Sequence, residues 1–410
     1  MSVVDRKLWI LGMLCMLALS ACKSSQPPEA QTSSDQPEKV QPVKRAIPAA
    51  RHAAQQSDEP EREAVGKQMG GARQDVVLRL KGVVSTFAGK AGHTGANDLY
   101  GTRARFDTPK GITSDGLYLY VADFNNHVIR KIDTASGRVI TLAGLAGKTG
   151  SNDGKGSAAR FNRPYGITTD GERLFVTDSN NHTIRQVDIE SGEVTTLAGK
   201  VGVVGYQDGS LKAARFFIPE GITTDGRNLY VSDTHNHSIR KIDLDAGQVS
   251  TLAGLSGAPG LLDDTGNKAR FSYPKGITTD GRNLYVVDFG NHRVRKIIIN
   301  SAAVSTLAGG DAPGLEGDAG QKQVEDRFNY PTGITTDGHY LYVVDTFNRT
   351  IRKVSMASGA ISTIAGKAEA EGENDGTGAE ARFRDPVGIT TDGNALYVTD
   401  SNNHTIRKIR

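Results

Sequence analysis

One unit recurs six times in this chain, and its spacing restricts the fold to a repeat architecture. From Pro109 onward each copy reads Pro-x-Gly-Ile-Thr-(Thr/Ser)-Asp-Gly, then Leu-(Tyr/Phe)-Val-x-Asp, then Asn-(His/Arg)-x-(Ile/Val)-Arg. The Asp that closes the middle block stands at Asp123, Asp178, Asp233, Asp288, Asp345 and Asp400, at steps of 55, 55, 55, 57 and 55 residues. A fixed period of this length marks a repeat protein. A residue present in every copy serves the copy; a unique site must come from residues that differ between copies.

Each copy divides into four short runs of strand composition. In the first, Gly111-Ile112-Thr113 ends at the turn Asp115-Gly116, and Leu119-Tyr120-Val121-Ala122 is broken by Phe124-Asn125-Asn126. His127 to Ile132 forms a third run, Ser136-Gly137 a turn, and Val139 to Ala143 a fourth run. Strand-length runs with Gly, Asn or Asp boundaries describe four antiparallel strands joined by short turns, which is a propeller blade. No helical periodicity supports a solenoid instead. The fourth-strand motif also occurs once before any complete copy, at Val84–Gly89, and the last copy stops at Arg410 after its third strand. The expectation is that residues 83 to 89 complete the last blade and close the ring, removing exposed sheet edges.

Asn126-His127, Asn181-His182, Asn236-His237, Asn291-His292 and Asn403-His404, each leading into a (Val/Ile)-Arg strand, resemble NHL repeats. The resemblance covers about residues 82 to 410 and implies an all-β, six-bladed propeller of four-stranded antiparallel blades. Two features depart from it. The fifth copy reads Asn348-Arg349, and long linkers such as residues 145–163 separate the copies, each ending in an Arg-Phe pair from Arg105-Phe106 to Arg382-Phe383.

The front of the chain is different in kind. Arg6 and Lys7 precede an uncharged stretch from Leu8 to Leu19, then Leu19-Ser20-Ala21-Cys22. A basic start and a short apolar stretch read as a secretory signal, too short to span a membrane. The sequence around Cys22 resembles a bacterial lipobox, in which that Cys carries the lipid. Cys15 lies in the part that is removed, so Cys22 is the one thiol left, and lipidation accounts for a Cys without a disulfide partner. Lys23, rather than Asp, follows Cys22. This favours the outer membrane if the organism has one. Residues 23 to 80 carry no aromatic residue and six prolines, a composition that cannot bury a core. As a flexible tether, 58 residues span roughly 40–45 Å. The expected division is a lipoprotein signal peptide at 1–21, a lipidated tether at 22–80 and the propeller at 81–410.

The formal charge is +3, with both signs interspersed, so nucleic acid is not expected as a partner. No catalytic or phosphate-loop motif occurs, and the chain reads more as a binding or assembly module than as an enzyme. No cofactor is expected. Ca²⁺ is a weak possibility at linker acids such as Asp98, Asp153, Asp208, Asp263 and Asp375, whose spacing matches no complete calcium loop, so solvated turns are the expected role. The five repeated His occupy one slot per blade, too far apart to share a cation. The repeated Asp is expected to accept from backbone of the turn that follows it, and the repeated strand-three Arg to form a structural ion pair.

Candidate ligand residues are those that break the repeat. Between Pro and Gly at the head of the innermost strand stand Lys110, Tyr165, Glu220, Lys275, Thr332 and Val387; in the turn after strand two stand Phe124, His235, Phe289 and Phe347. Both sets are expected at the channel mouth, on the face carrying the long linkers. There they would bind a protein or a small molecule. Two other functions compete: a metal-assisted hydrolase or lyase at the mouth, and a purely structural envelope protein.

Overall fold

The computed structural model describes residues 77–310, 313–314 and 327–410. The signal, Cys22 and the tether up to residue 76 lie outside the described residues. The chain from residue 77 onward forms six antiparallel sheets arranged as the blades of a ring. Blade 1 is built from Pro109–Ser114, Tyr118–Asp123, Val128–Asp133 and Val139–Ala143, counted from the axis outward. Blades 2 to 6 repeat this order from the inner strands Pro164–Thr169, Gly221–Thr224, Pro274–Thr279, Ile334–Thr336 and Pro386–Thr391.

Closure follows the expected route. Val83–Gly89 pairs antiparallel with Thr405–Ile409 and supplies the fourth strand of blade 6. Arg410 and Val83 exchange backbone hydrogen bonds at 3.0 Å in both directions. The closing segment also reaches back beyond the expected boundary at 81. Leu78 is buried in the core shared by blades 5 and 6, and its N–H donates to the Asp337 carboxylate at 3.1 Å.

Blades pack face to face, so the second strand of each blade is buried on both faces. Between blades 1 and 2, for example, Tyr120, Ala122 and Ile129 meet Phe161, Ile167, Leu174 and Val176. At the axis the repeated Pro-x-Gly glycine has a steric role. A β-carbon on Gly111 would strike the Tyr165 carbonyl of the next blade; the same holds for Gly166 with Glu220, Gly221 with Lys275, Gly276 with Thr332, Gly333 with Val387 and Gly388 with Lys110. Only glycine lets the six inner strands approach this closely, and this brings the six x residues together around the axis.

The sheets depart from the four-stranded expectation. Three blades carry a fifth strand of two residues, Gly154–Lys155, Gly209–Ser210 and Gly376–Thr377, paired with their outermost strand. These residues belong to the long linkers. A linker leaves the mouth end of one blade, runs along the outer edge of the next, and returns to the mouth end at its Arg-Phe pair. The linkers therefore cover sheet edges on the rim, and only their ends reach the face where they were expected to lie.

The linker acids are not solvated turns. Arg130, fully buried in strand three, donates to Asp123 and to Asp98, both at 2.8 Å, and to the Arg105 and Asn97 carbonyls. Asp98 in turn accepts from Thr141 of the outermost strand. Arg185 with Asp153, Arg240 with Asp208, Arg295 with Asp263 and Arg407 with Asp375 repeat the arrangement. The Arg-Phe pair belongs to it as well, since the Arg130 guanidinium lies over the Phe106 ring, 4.9 Å from its centre. The repeated Asp is placed differently from expectation. Asp123 accepts from the Asp107 N–H of the preceding linker and from the Asn126 side chain, not from the backbone of the turn that follows. Burial pushes the carboxyls of Asp123, Asp178, Asp233, Asp288 and Asp345 up to about 6, against the pull of their guanidinium partners.

Candidate functional site at the channel mouth

The repeated His fastens blade to blade. Each occupies a left-handed position at the end of a turn, with φ between 55° and 60°. From there its Nδ1 accepts from a backbone N–H of the next blade. His127 accepts from Arg163, His182 from Ile218, His237 from Tyr273, His292 from Tyr330 and His404 from Thr108, at 3.0–3.2 Å. All five donors themselves have positive φ, from 46° to 56°, an uncommon state for side chains such as Ile218. An acceptor at Nδ1 must be an unprotonated nitrogen, and burial lowers the pKa of all five imidazoles.

The sixth junction lacks this device, and the mouth gains a charge there. Arg349 stands in the His slot, cannot accept a hydrogen bond, and pairs with Glu371 at 3.4 Å. The residue that would have bonded to it is Asp385. Asp385 is absent from the positive-φ positions that its five counterparts occupy, and its N–H donates to Asp400 instead. Its carboxylate reaches Lys110, 3.5 Å away. Sequence reading missed Asp385. The signal for it was the Arg349 substitution together with the variable pair before each Pro.

Four of the expected mouth residues come together with Asp385. Lys275 Nζ lies 2.9 Å from Glu220 Oε2. It also sits 4.4 Å from the centre of the Phe289 ring and 5.6 Å from that of Tyr165. Burial is the largest single influence and works against the Lys275 charge, but Glu220, Tyr165 and Asp385 together outweigh it, and the ammonium is held above its ordinary pKa. Lys110 goes the other way: burial lowers its pKa, the Lys275 charge deepens the shift, and Asp385 offsets only part of it. Burial raises the Tyr165 hydroxyl well above its usual range. Thr332 and Val387 complete the circle as buried side chains without charge.

The turn residues divide into two groups. Phe124 and Phe289 come directly after the repeated Asp. In the other four blades this position holds a hydroxyl that donates to the carbonyl of the next blade's Pro: Ser179 to Pro219, Thr234 to Pro274, Thr346 to Pro386 and Ser401 to Pro109. Phe124 and Phe289 give up that bond and set a ring beside the mouth instead, Phe124 edge-on to Tyr165 at 6.0 Å. His235 and Phe347 stand one position later and lie farther out. His235 contacts Phe217 and Tyr273 at 5.0 and 5.5 Å. Phe347 contacts Tyr330 at 5.0 Å, and Tyr330 contacts Phe289 at 4.9 Å. Phe217, Tyr273 and Tyr330 were not singled out from the sequence, although they vary between copies. The result is an aromatic arc over blades 3 to 5, with Tyr273 42% and Phe347 49% exposed, apart from the Phe124–Tyr165 pair of blades 1 and 2.

Among the described residues no three His, Cys, Asp or Glu side chains gather as metal ligands. The two mouth carboxylates, Glu220 and Asp385, each pair with a lysine.

A ring of six antiparallel blades of four or five strands defines a β-propeller, and the polar side chains at its mouth depart from its own repeat. Two of the repeats match the NHL repeat family model, at residues 271–297 and 383–409. The chain is 28% identical over 335 residues to NHL repeat-containing protein 2 of Gallus gallus, covering 73% of this chain and 46% of that protein. It is 28% identical over 307 residues to Protein SUPPRESSOR OF QUENCHING 1, chloroplastic, of Arabidopsis thaliana, covering 71% and 29%. The chain thus spans less than half the length of these relatives. A structure from Bacteroides thetaiotaomicron of unknown function shares the fold at a TM-score of 0.58 and 22% identity, over 80% of this chain and 75% of that one. An auxiliary nutrient binding protein from the same species does so at 0.58 and 17%, over 80% and 76%.

Proposed function

We propose that this protein is a ligand-binding propeller, anchored to the cell envelope through Cys22 and held off the membrane by residues 23–76, with its site at the channel mouth. One observation carries the ligand reading. Lys110, Tyr165, Glu220, Lys275 and Asp385 come from five different junctions of the ring, break its symmetry, and bring two ammoniums, two carboxylates and a phenol to one opening. A structural ring has no use for five unlike polar side chains at its axis, where burying charge is costly. The solved structure of a nutrient binding protein on the same fold is consistent with such a role.

The test is capture of partners and small molecules from the native envelope on the purified protein, with metal analysis of the same sample. Tyr165→Ala combined with Glu220→Gln should weaken capture at least tenfold, about 1.4 kcal/mol. Full retention by the double variant moves the site away from the mouth. The anchor is tested separately. Cys22→Ser should abolish lipid labelling and release soluble protein outside the cytoplasm; unchanged membrane attachment after a high-salt wash refutes it.

A further inference from the structure

We propose that the mouth seats a single carboxylate between Lys110 and Lys275, carried by a small molecule whose flat ring lies against Phe289, Tyr330 and Phe347. This rests on the channel mouth being the ligand site and adds the chemistry of the ligand.

The two lysines come from blades 1 and 4, so they face each other across the axis of a six-bladed ring. They differ in how well they are compensated. Lys275 has Glu220 at 2.9 Å and the Tyr165 ring beside it. Lys110 has Asp385 at 3.5 Å, the outer limit of a hydrogen bond, for an ammonium with three N–H donors. Both groups are withdrawn from solvent, with side-chain exposures of 15% and 17%. A buried charge with a distant partner favours a further counter-ion, and an oxygen acid placed between the two ammoniums supplies it. The flanking Glu220 and Asp385 set the charge of that acid. The four mouth groups sum to zero, so a bound monoanion leaves the site at −1 and a dianion such as phosphate at −2, the costlier charge to enclose. No arginine fork and no cluster of backbone N–H groups is present among these residues to hold a phosphate.

The arc supplies the second half of the ligand. Phe289 touches the Lys275 ammonium on one side and Tyr330 on the other, and Tyr330 leads to Phe347. These contacts form one path from the charged seat outward. Phe347 replaces the Asn125, Asn180 and Asn402 of other blades and leaves half its surface in water. An exposed ring at the end of such a path is placed to cover a flat face of a bound molecule.

The experiment is calorimetric titration of the purified protein with phenylacetate, acetate, phenethylamine and inorganic phosphate. Phenylacetate should bind one to one and at least tenfold tighter than acetate; phenethylamine and phosphate should bind at least tenfold more weakly than phenylacetate. Lys110→Met, which keeps the aliphatic stem, should cost phenylacetate at least tenfold without lowering the melting temperature. Phe347→Ala should weaken phenylacetate and leave acetate unchanged. Equal affinity for phenethylamine or phosphate, no binding of either carboxylate, or full affinity in Lys110→Met overturns the proposal. If phenethylamine binds and Tyr165→Ala with Glu220→Gln abolishes that binding, the mouth remains the site and only the carboxylate assignment falls.

Discussion

The protein contains two kinds of buried ion pair, and they obey different rules. Inside the blades, Arg130 and its equivalents meet their Asp partners at 2.8–3.1 Å, fully enclosed, and spend further donors on backbone carbonyls. At the mouth, Lys275–Glu220 and Lys110–Asp385 span 2.9 and 3.5 Å, keep some contact with solvent, and use the flexible point charge of lysine. The first kind recurs in every blade and ties strand three to linker and outer strand. The second kind arises where copies differ. A guanidinium with a fixed fork specifies one geometry, which suits a scaffold. An ammonium on a mobile stem can exchange partners, which suits a site.

That contrast is broken most severely at ring closure. Deleting residues 77–90 removes the fourth strand of blade 6 and the Leu78 contact, and should give aggregation or loss of the folded state, read by melting and light scattering. Deleting residues 23–70 should leave the melting temperature unchanged; equal melting of the two truncations defeats the closure account. Next comes the buried pair itself. Arg185→Met leaves Asp178 enclosed without its cation and should cost about 3–5 kcal/mol in denaturant unfolding. A loss below ~1 kcal/mol would show that the strut is dispensable.

The His junctions are expected to contribute less each. His182→Ala leaves the Ile218 N–H without its acceptor and should cost about 1–3 kcal/mol, with Arg in that slot no better than Ala. The pH dependence has a definite sign. Burial lowers the His182 pKa in the folded state, so the unfolded chain binds the proton more readily and stability falls as the pH is lowered. The contribution is complete above the unfolded value of about 6.5 and is lost as pH drops through the lower folded value. His182→Asn keeps an acceptor that does not titrate and tolerates the left-handed backbone. The stability advantage of wild type over His182→Asn should therefore shrink as pH falls from 7 to 5, and the contributions of the buried Asp residues cancel in that difference. A constant gap would remove Nδ1 from the junction.

At the mouth the smallest effect on stability is expected, below about 1 kcal/mol for Glu220→Gln, since its partner Lys275 keeps some access to water. The same substitution, paired with Tyr165→Ala, should have the largest effect on binding. A variant that melts early would class the mouth pair with the scaffold.

The fold was legible because its determinants are local and repeated. The period, the turn residues and the strand composition mark each blade, and the orphan strand at Val83–Gly89 marks the closure. Lys110, Tyr165, Glu220 and Lys275 were legible as a site because they interrupt an otherwise regular motif. Asp385 was not, because its role depends on a missing hydrogen bond to a residue of another blade, Arg349. The linker acids were misread for the same reason: Asp98 and Arg130 are 32 positions apart, and nothing local links them. The course of the linkers along the rim, and the aromatic path from Phe289 to Phe347, likewise depend on which residues the closed ring brings side by side. The sequence by itself determined how many blades form, where each begins, and which positions vary. Only the tertiary structure decided which variable positions touch, because contact across an axis depends on the ring's closure and on six glycines that let backbones meet, not on distance along the chain.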